Sequence, residues 1–396
     1  WRFTKASGAG HLDAGARMKK LMIVAGEMSG DQHAAGLVRE LREARGDVEC
    51  FGIGGEAMRR EGVRTVVDVK DMAVLGLAEV LARISFFRRV FRQMSRLLVE
   101  ERPDALLLVD YPGFNLRLAA AAKRHGIPVY YYISPQVWAW HRSRIGKMAR
   151  LIDLLMVIFP FEVEVFAGTG LKTVFTGHPL VASVADTLAS PSPELAWPPG
   201  ARRVAILPGS RRQEIKRVLP PMLAAARELR RRDPQTAFMI PAAGPEIKAQ
   251  IEQQLAVLPA DERTALGVVE GQMRDVVRQA RAAMVCSGTA TMETALLKCP
   301  HIVVYRAAWP TYWLGRMLIR VRFLGIVNLI AGRELCPEFI QGDAQPEKMA
   351  DAVERLLGNT PERATQLAGL DAVERALAGP QHVAPAGRVV AEALGA

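Results

Sequence analysis

The sequence predicts an α/β protein of two doubly wound domains, each a parallel sheet with helices on both faces. Short, wholly apolar runs alternate with amphipathic stretches, the pattern of strands buried on both faces and separated by helices. That alternation breaks at Ala189-Ser-Pro-Ser-Pro-Glu and Trp197-Pro-Pro-Gly, then restarts. The 396 residues hold two domains at roughly 100–200 residues each.

In chain order, residues 21–25 form a first apolar strand and 31–44 an amphipathic helix. A long helical pattern at 77–101 precedes a strand at 105–109, a helix at 116–125 and strands at 129–133 and 154–158. After the break come a strand at 204–207, a helix at 215–231 and strands at 237–240, 283–286 and 302–304. Helices at 346–357, 361–377 and 387–394 close the chain. The expected division is an extension at 1–17, a first domain at 18–187, a linker at 188–200, a second domain at 201–370 and a helical segment at 371–396.

Composition excludes several classes. Half the residues are hydrophobic and 23% charged, ample for packed cores and unlike a disordered chain. The longest apolar run, 154–161, is eight residues, far short of the ~18 a spanning helix needs. Cys50, Cys286, Cys299 and Cys336 lie far apart without the spacing of a zinc site and read as buried reduced thiols of a cytosolic protein. Residues 1–17 have no apolar core of a secretory signal, and Met18-Lys19-Lys20 runs into the first strand, so the natural start is expected at Met18. With 52 Lys+Arg against 41 Asp+Glu, the charge of +11 points to anionic partners. No RNA-binding or helix-turn-helix signature supports nucleic acid.

In such sheets ligands sit beyond the carboxyl ends of the strands, so the loops there are the candidate site. The first strand ends in Gly26-Glu-Met-Ser-Gly-Asp31, a tight turn before a helix amino terminus that suits an anionic or hydroxylated ligand. Glu27, Ser29 and Asp31 are its candidates, although Ser29 or Asp31 can equally cap the helix. Asp110, in Val-Asp-Tyr-Pro-Gly-Phe-Asn115, stands at a strand end where it can take a proton from a hydroxyl or cap a turn. Ser134-Pro-Gln-Val-Trp-Ala-Trp-His-Arg-Ser-Arg144 sets Trp138 and Trp140 before His141, Arg142 and Arg144. These suit a sugar or apolar site beside phosphate, or packing alone. In the second half, Leu207-Pro-Gly-Ser-Arg211 and Ser287-Gly-Thr-Ala-Thr-Met-Glu293 each join a strand to a helix. Gly209, Ser210, Arg211, Ser287, Gly288 and Thr289 offer amides and a guanidinium to phosphate, without the Gly-Lys-Ser/Thr of a P-loop. Glu293, a turn into its helix, suits vicinal ribose hydroxyls or simply the helix dipole.

The helical pattern at 77–101 places Val80, Ile84, Phe87, Phe91, Met94 and Leu98 on one face and Arg88, Arg89, Arg92 and Arg96 opposite. A basic amphipathic helix packs on a core or lies in a membrane interface. Phe86, Phe87, Arg88 and Arg89 are the expected membrane contacts. A second basic-apolar stretch, 309–323, mixes Arg316, Arg320 and Arg322 with Trp313, Leu314, Met317, Leu318 and Ile319.

The motifs Ala25-Gly-Glu-Met-Ser-Gly-Asp31, Ser134-Pro-Gln-Val-Trp-Ala-Trp140, Leu207-Pro-Gly-Ser-Arg211, Ser287-Gly-Thr-Ala-Thr-Met-Glu293 and Asn328-Leu-Ile-Ala-Gly-Arg-Glu334 occur in that order. From about Met18 to the carboxyl terminus the chain resembles the lipid-A-disaccharide synthase family of bacterial inverting glycosyltransferases. The resemblance implies a GT-B fold of two Rossmann-like domains with an interdomain cleft, the last helix crossing back to the first domain. It implies metal-independent transfer from UDP-2,3-diacylglucosamine to the 6-hydroxyl of 2,3-diacylglucosamine 1-phosphate, with no cofactor. Asp110 would be the base, with Glu27 or Asp31 as alternatives. Glu27, Ser29, Asp31, Asn115, Ser134, Trp138 and Trp140 would line the acceptor side. Arg211 and the loops around Ser210 and Ser287–Thr289 would hold the diphosphate, Glu293 the ribose, and Asn328 and Arg333 the donor or phosphate. The protein would work at the cytoplasmic face of the inner membrane, with a homodimer open. The alternatives are another UDP-sugar enzyme, such as an epimerase or GlcNAc transferase, and a non-catalytic peripheral membrane protein. Dependence on acyl chains separates the first, UDP release the second.

Overall fold

A computed structural model describes residues 18–72, 84–139, 142–309, 312, 322–380 and 383–395. The first half runs β1 (Lys19–Ala25), α1 (Met28–Ala44), β2 (Val48–Gly54), α2 (Glu56–Arg60), β3 (Arg64–Asp68), α3 (Val69–Met72), α4 (Ile84–Glu100), β4 (Ala105–Val109), α5 (Pro112–Arg124), β5 (Val129–Tyr132), α6 (Ile145–Leu151), β6 (Leu154–Val157), α7 (Glu162–Phe166), β7 (Lys172–Phe175) and α8 (Pro179–Ala189). The second runs β8 (Arg202–Leu207), α9 (Arg212–Arg232), β9 (Thr236–Ala242), α10 (Pro245–Ala256), α11 (Ala260–Arg263), β10 (Leu266–Glu270), α12 (Met273–Gln279), β11 (Ala282–Cys286), α13 (Thr289–Leu296), β12 (His301–Tyr305), α14 (Ile326–Ala331), β13 (Glu338–Ile340), α15 (Pro346–Leu357), α16 (Pro361–Ala378) and α17 (Ala386–Gly395).

The strands form two parallel sheets, ordered β3-β2-β1-β4-β5-β6-β7 and β10-β9-β8-β11-β12-β13. Strand alternation divides the core. Leu21, Ile23 and Ala25 face one side of β1, while Met22 and Val24 face the α4 and α5 side. The first of these clusters continues without a break into the second half, through Leu180 and Val184 of α8 to Leu207, Val285, Met292 and Leu377. The two sheets therefore share one apolar seam. The strands that sequence patterning did not pick out, β2, β3, β7, β10 and β13, include every sheet edge. Four of them, β3, β7, β10 and β13, are half-buried or exposed at every position and mix in polar residues.

The segment after α8 lies against α12. Arg278 donates to the carbonyls of Thr187 and Ser190 at 3.0 Å each, and Gln279 donates to Pro193 at 2.7 Å and accepts from the Trp197 indole at 3.0 Å. The chain then returns. The His178 N–H donates to Leu377 at the end of α16 at 2.9 Å, and α17 packs on α1. There the Gly387 N–H donates to Glu40 at 2.9 Å, and the Tyr130 hydroxyl donates to Ala393 at 3.0 Å.

Helix α4 turns Val90, Met94 and Leu98 fully inward, with Phe86, Phe87 and Phe91 half-buried against them. Arg88, Arg89 and Arg92 face solvent, and Ile84 is 44% exposed. Most of the apolar face is therefore core. Val80 and most of the 309–323 stretch lie outside the described residues, as do residues 1–17. No described helix is long and apolar enough to cross a membrane.

At Gly387 a Cβ would fall 2.4 Å from both the Leu37 carbonyl oxygen and the Leu41 nitrogen. These are backbone atoms that cannot step aside. Gly387→Ala is expected to loosen α17 from α1 and cost about 1–3 kcal/mol, read as a lower urea midpoint. An unchanged midpoint would show that this close approach carries no stability.

Candidate active site

The chain leaves β4 through two consecutive left-handed residues, Asp110 (φ 46°) and Tyr111 (φ 47°), and leaves β5 through a third, Ile133 (φ 64°). Each costs an L-residue roughly 1–2 kcal/mol, so neighbours must hold it. The Asp110 N–H extends the sheet ladder to the Tyr132 carbonyl at 3.0 Å. Asn115 Nδ2 donates to the carbonyls of Val109 and Asp110 at 3.2 and 2.7 Å, and the Tyr131 hydroxyl also donates to Asp110. Gly26 makes room, since a Cβ there would sit 2.3 Å from the Tyr111 ring. Strain of this kind collects at functional sites.

Asp110 lines a cleft of ≈ 430 Å³ between the two sheets. Ser29, Gly30 and His33 of α1 form one wall, Ser134–Val137 a second, and Ile158, Phe159, His178 and Leu180 a third. Thr289 and Met292 of α13 face them from the second half. Burial pushes the Asp110 carboxyl up to about 6; the Glu27 charge adds to the shift, and a backbone N–H at Tyr111 opposes it. A carboxylate so placed is a base poised to take a proton near neutral pH. Burial also lowers both histidines, His178 to about 4, where His33 adds to the effect. His178 Nδ1 accepts the Leu180 N–H at 3.1 Å and caps α8.

On the second-half side, Gly209 turns at φ 111°, a conformation that favours glycine, and its missing Cβ leaves room for the Glu214 carboxylate, which would lie 2.4 Å from it. That carboxylate accepts the N–H groups of Ser210 and Arg211 at 3.0 and 3.2 Å. The two amides expected to meet a diphosphate are thus occupied by Glu214. The Arg211 guanidinium is 80% exposed, its closest carboxylate oxygen 3.4 Å away on Glu214. Ser287 donates its N–H to Val304 at 3.0 Å and its hydroxyl to Leu324 at 3.4 Å; Gly288 opens α13 with Thr289 exposed beside it. Glu293 lies 3.3 Å from Arg274, which also donates to Ser183 and Thr187 of α8. Arg333 is exposed.

Three expected ligand residues hold the fold instead. Asp31 is 1% exposed and accepts the N–H groups of Gly55, Ala57 and Met58 at 2.6, 3.0 and 3.2 Å, capping α2. It is spent as a base. Asn328 is fully buried and saturated. Its amide donates to Cys336 and Glu338, and its oxygen accepts from Leu335 and Cys336, leaving no free donor or acceptor. Trp138 is 7% exposed, edge-on to Phe161 at 5.0 Å, with its indole N–H donated to Glu162 at 3.1 Å. Asn115 supports the Asp110 turn rather than lining the cleft. Glu27 is exposed at the N-cap of α1. Trp140 and His141 lie outside the described residues. Sequence reasoning missed His33, His178 and Glu162. The Gly177-His-Pro turn before α8 was the available signal for His178; a lone histidine inside α1 and a glutamate opening the short α7 gave none.

A family model described as lipid-A-disaccharide synthetase matches residues 21–383. A lipid-A-disaccharide synthase of Anaeromyxobacter dehalogenans is 42% identical over 382 residues, covering 95% of this chain and 97% of that protein. One from Geobacter sulfurreducens is 41% identical over 360 residues, covering 90% and 93%. Among solved structures, UDP-GlcNAc 2-epimerase from Neisseria meningitidis bound to UDP-GlcNAc matches with a TM-score of 0.60 at 12% identity, over 95% of this chain and 99% of that one. An α,α-trehalose-phosphate synthase (UDP-forming) from Burkholderia vietnamiensis matches at 0.55 with 13% identity, over 95% and 99%. At such identities the likeness is one of fold, the two Rossmann-like domains of GT-B enzymes.

Asn328→Ala is expected to orphan buried N–H groups and lower stability by about 2–4 kcal/mol, seen in thermal unfolding. If the variant melts like the parent but loses UDP affinity, Asn328 is a ligand contact after all.

Proposed function

The chain belongs to the lipid-A-disaccharide synthase family and is a glycosyltransferase, and on that premise we propose that it joins two acylated glucosamines, with Asp110 as the base. The donor is UDP-2,3-diacylglucosamine and the acceptor 2,3-diacylglucosamine 1-phosphate. The acceptor's 6-hydroxyl gives its proton to the Asp110 carboxylate. Its oxygen attacks the anomeric carbon from the face opposite the diphosphate. The bond to UDP breaks with inversion, leaving the β-1′,6-linked disaccharide 1-phosphate and UDP.

The observation that carries this reading is the position of Asp110. It is a strained, partly desolvated carboxylate in a cleft with both halves of the chain on its walls. The apolar lining of Ile133, Val137, Ile158, Phe159 and Leu180 suits an acylated sugar better than a bare one. Arg211 can turn to the diphosphate at little cost, because an exposed ion pair such as that with Glu214 holds it by only ~0–1 kcal/mol. The exposed amino terminus of α13, at Gly288 and Thr289, adds backbone donors where charge develops. Glu293 reaches the ribose hydroxyls by parting from Arg274. Association with the anionic cytoplasmic face of the inner membrane is part of the proposal. Exposed Ile84 beside Arg88 and Arg89 supports it.

UDP release in EDTA should require the acceptor. Release without acceptor, or none despite bound UDP, sends the function to another UDP-sugar reaction. Asp110→Asn should lower kcat by about 10²–10⁴ with UDP affinity intact; near-normal turnover removes Asp110 as base. Because the base works ionised and its carboxyl sits at about 6, kcat/KM should be level above neutral pH. It should fall about tenfold per unit below pH 6.

A further inference from the structure

We propose that Glu162 is a positioning residue that ties two walls of the cleft together and so sets the shape of the acceptor side. The inference rests on reading Ser134–Val137 as acceptor wall.

Those residues leave the sheet after β5, and Ile158–Phe159 leave it after β6. The two strands pair as far as Tyr132 and Met156, with one further bond from the Ile133 N–H to the Met156 carbonyl at 3.0 Å. Beyond that bond the ladder stops and Glu162 takes over. One oxygen accepts the Trp138 indole N–H at 3.1 Å; the other accepts the Phe159 N–H at 3.2 Å. Each partner carries a piece of the lining. Trp138 follows Gln136 and Val137, and Phe159 lies against the His178 ring with centroids 5.2 Å apart. Aromatic contacts close the link, with Trp138 edge-on to Phe161 and Phe161 stacked on Phe159 at 5.5 Å.

The chemistry favours a carboxylate here. Glu162 is 1% exposed, and its donors, the Trp138 indole and the backbone N–H groups of Phe159 and Ile158, are all neutral, so no cation offsets its desolvation. Apolar packing alone is served more cheaply by leucine or methionine. Two donors converging on two side-chain atoms need an acceptor at each. Glutamine supplies one acceptor and turns its NH₂ toward the second donor. The carboxylate is therefore required by geometry that packing does not explain.

Glu162→Gln, Trp138→Phe and the double variant test this, with Gln136→Ala as control for the wall itself. Steady-state kinetics are measured separately for donor and acceptor, with UDP binding as the check of folding. Each single variant should raise the acceptor KM about tenfold, leaving kcat and UDP affinity within about twofold. The double variant should be no worse than the worse single one, because the bonds from Trp138 and Phe159 to Glu162 act in series and losing either one breaks the link between the walls. If Gln136→Ala raises the acceptor KM but Glu162→Gln and Trp138→Phe do not, or their effects multiply, the positioning role is overturned while the acceptor wall stands. If all three shift the donor KM instead, the acceptor reading fails and takes the inference with it.

Discussion

Past their first two residues, β1 and β8 have no face toward water. Residues 21–25 and 204–206 are fully buried, and strands covered on both faces must pair all their backbone polar groups within the sheet. Chemistry is thereby displaced to the strand ends, where carbonyls and amides run out of partners and polar side chains must meet them. Both sheets bring their carboxyl edges to the same seam, because Leu180, Met292 and Leu377 join the two cores. The cleft is what remains where that seam opens.

The same constraint explains why the cleft is strained. A strand locked in register cannot bend gradually to aim a side chain sideways. The chain turns abruptly instead, through left-handed Asp110, Tyr111 and Ile133. Asn115 and Tyr131 hold the first turn from behind, and the absent side chain of Gly26 leaves space for it. Rigid support of this kind fixes a base more tightly than a flexible loop would. It also keeps the base partly out of water, which is why its carboxyl titrates high.

Much of the fold was legible because central strands are written in uninterrupted apolar residues. Residues 105–109 can be read off directly, whereas β3, β7 and β10 carry charged or half-exposed positions and pass for loops. Asp110 was legible as a carboxylate at a strand end. Its conformation was not, since that depends on Gly26, Asn115 and Tyr131 brought in from elsewhere. Asp31 misled for a related reason. A carboxylate in a Gly-rich turn looks the same whether its partners are a ligand or the N–H groups of Gly55 and Met58. Asn328 looked like a ligand residue within a family motif until Leu335 and Cys336 were seen bonded to it. Trp138 and Glu162 are invisible as a pair because no local pattern links two side chains on neighbouring connections.

Helix α17 covers Leu37 and Leu41 of α1 with Val389, Val390 and Leu394. The first domain is thus finished by a helix that follows the whole second sheet in the chain. During synthesis α1 emerges early, and its outer apolar surface stays uncovered while more than three hundred further residues are added. Until α17 is translated the nascent protein carries an unpartnered hydrophobic patch, a standing invitation to chaperones or to association with its neighbours on the polysome. A chain that stops before Ala386 would keep that patch for good, so termination there yields a product marked for removal by the very surface it fails to hide.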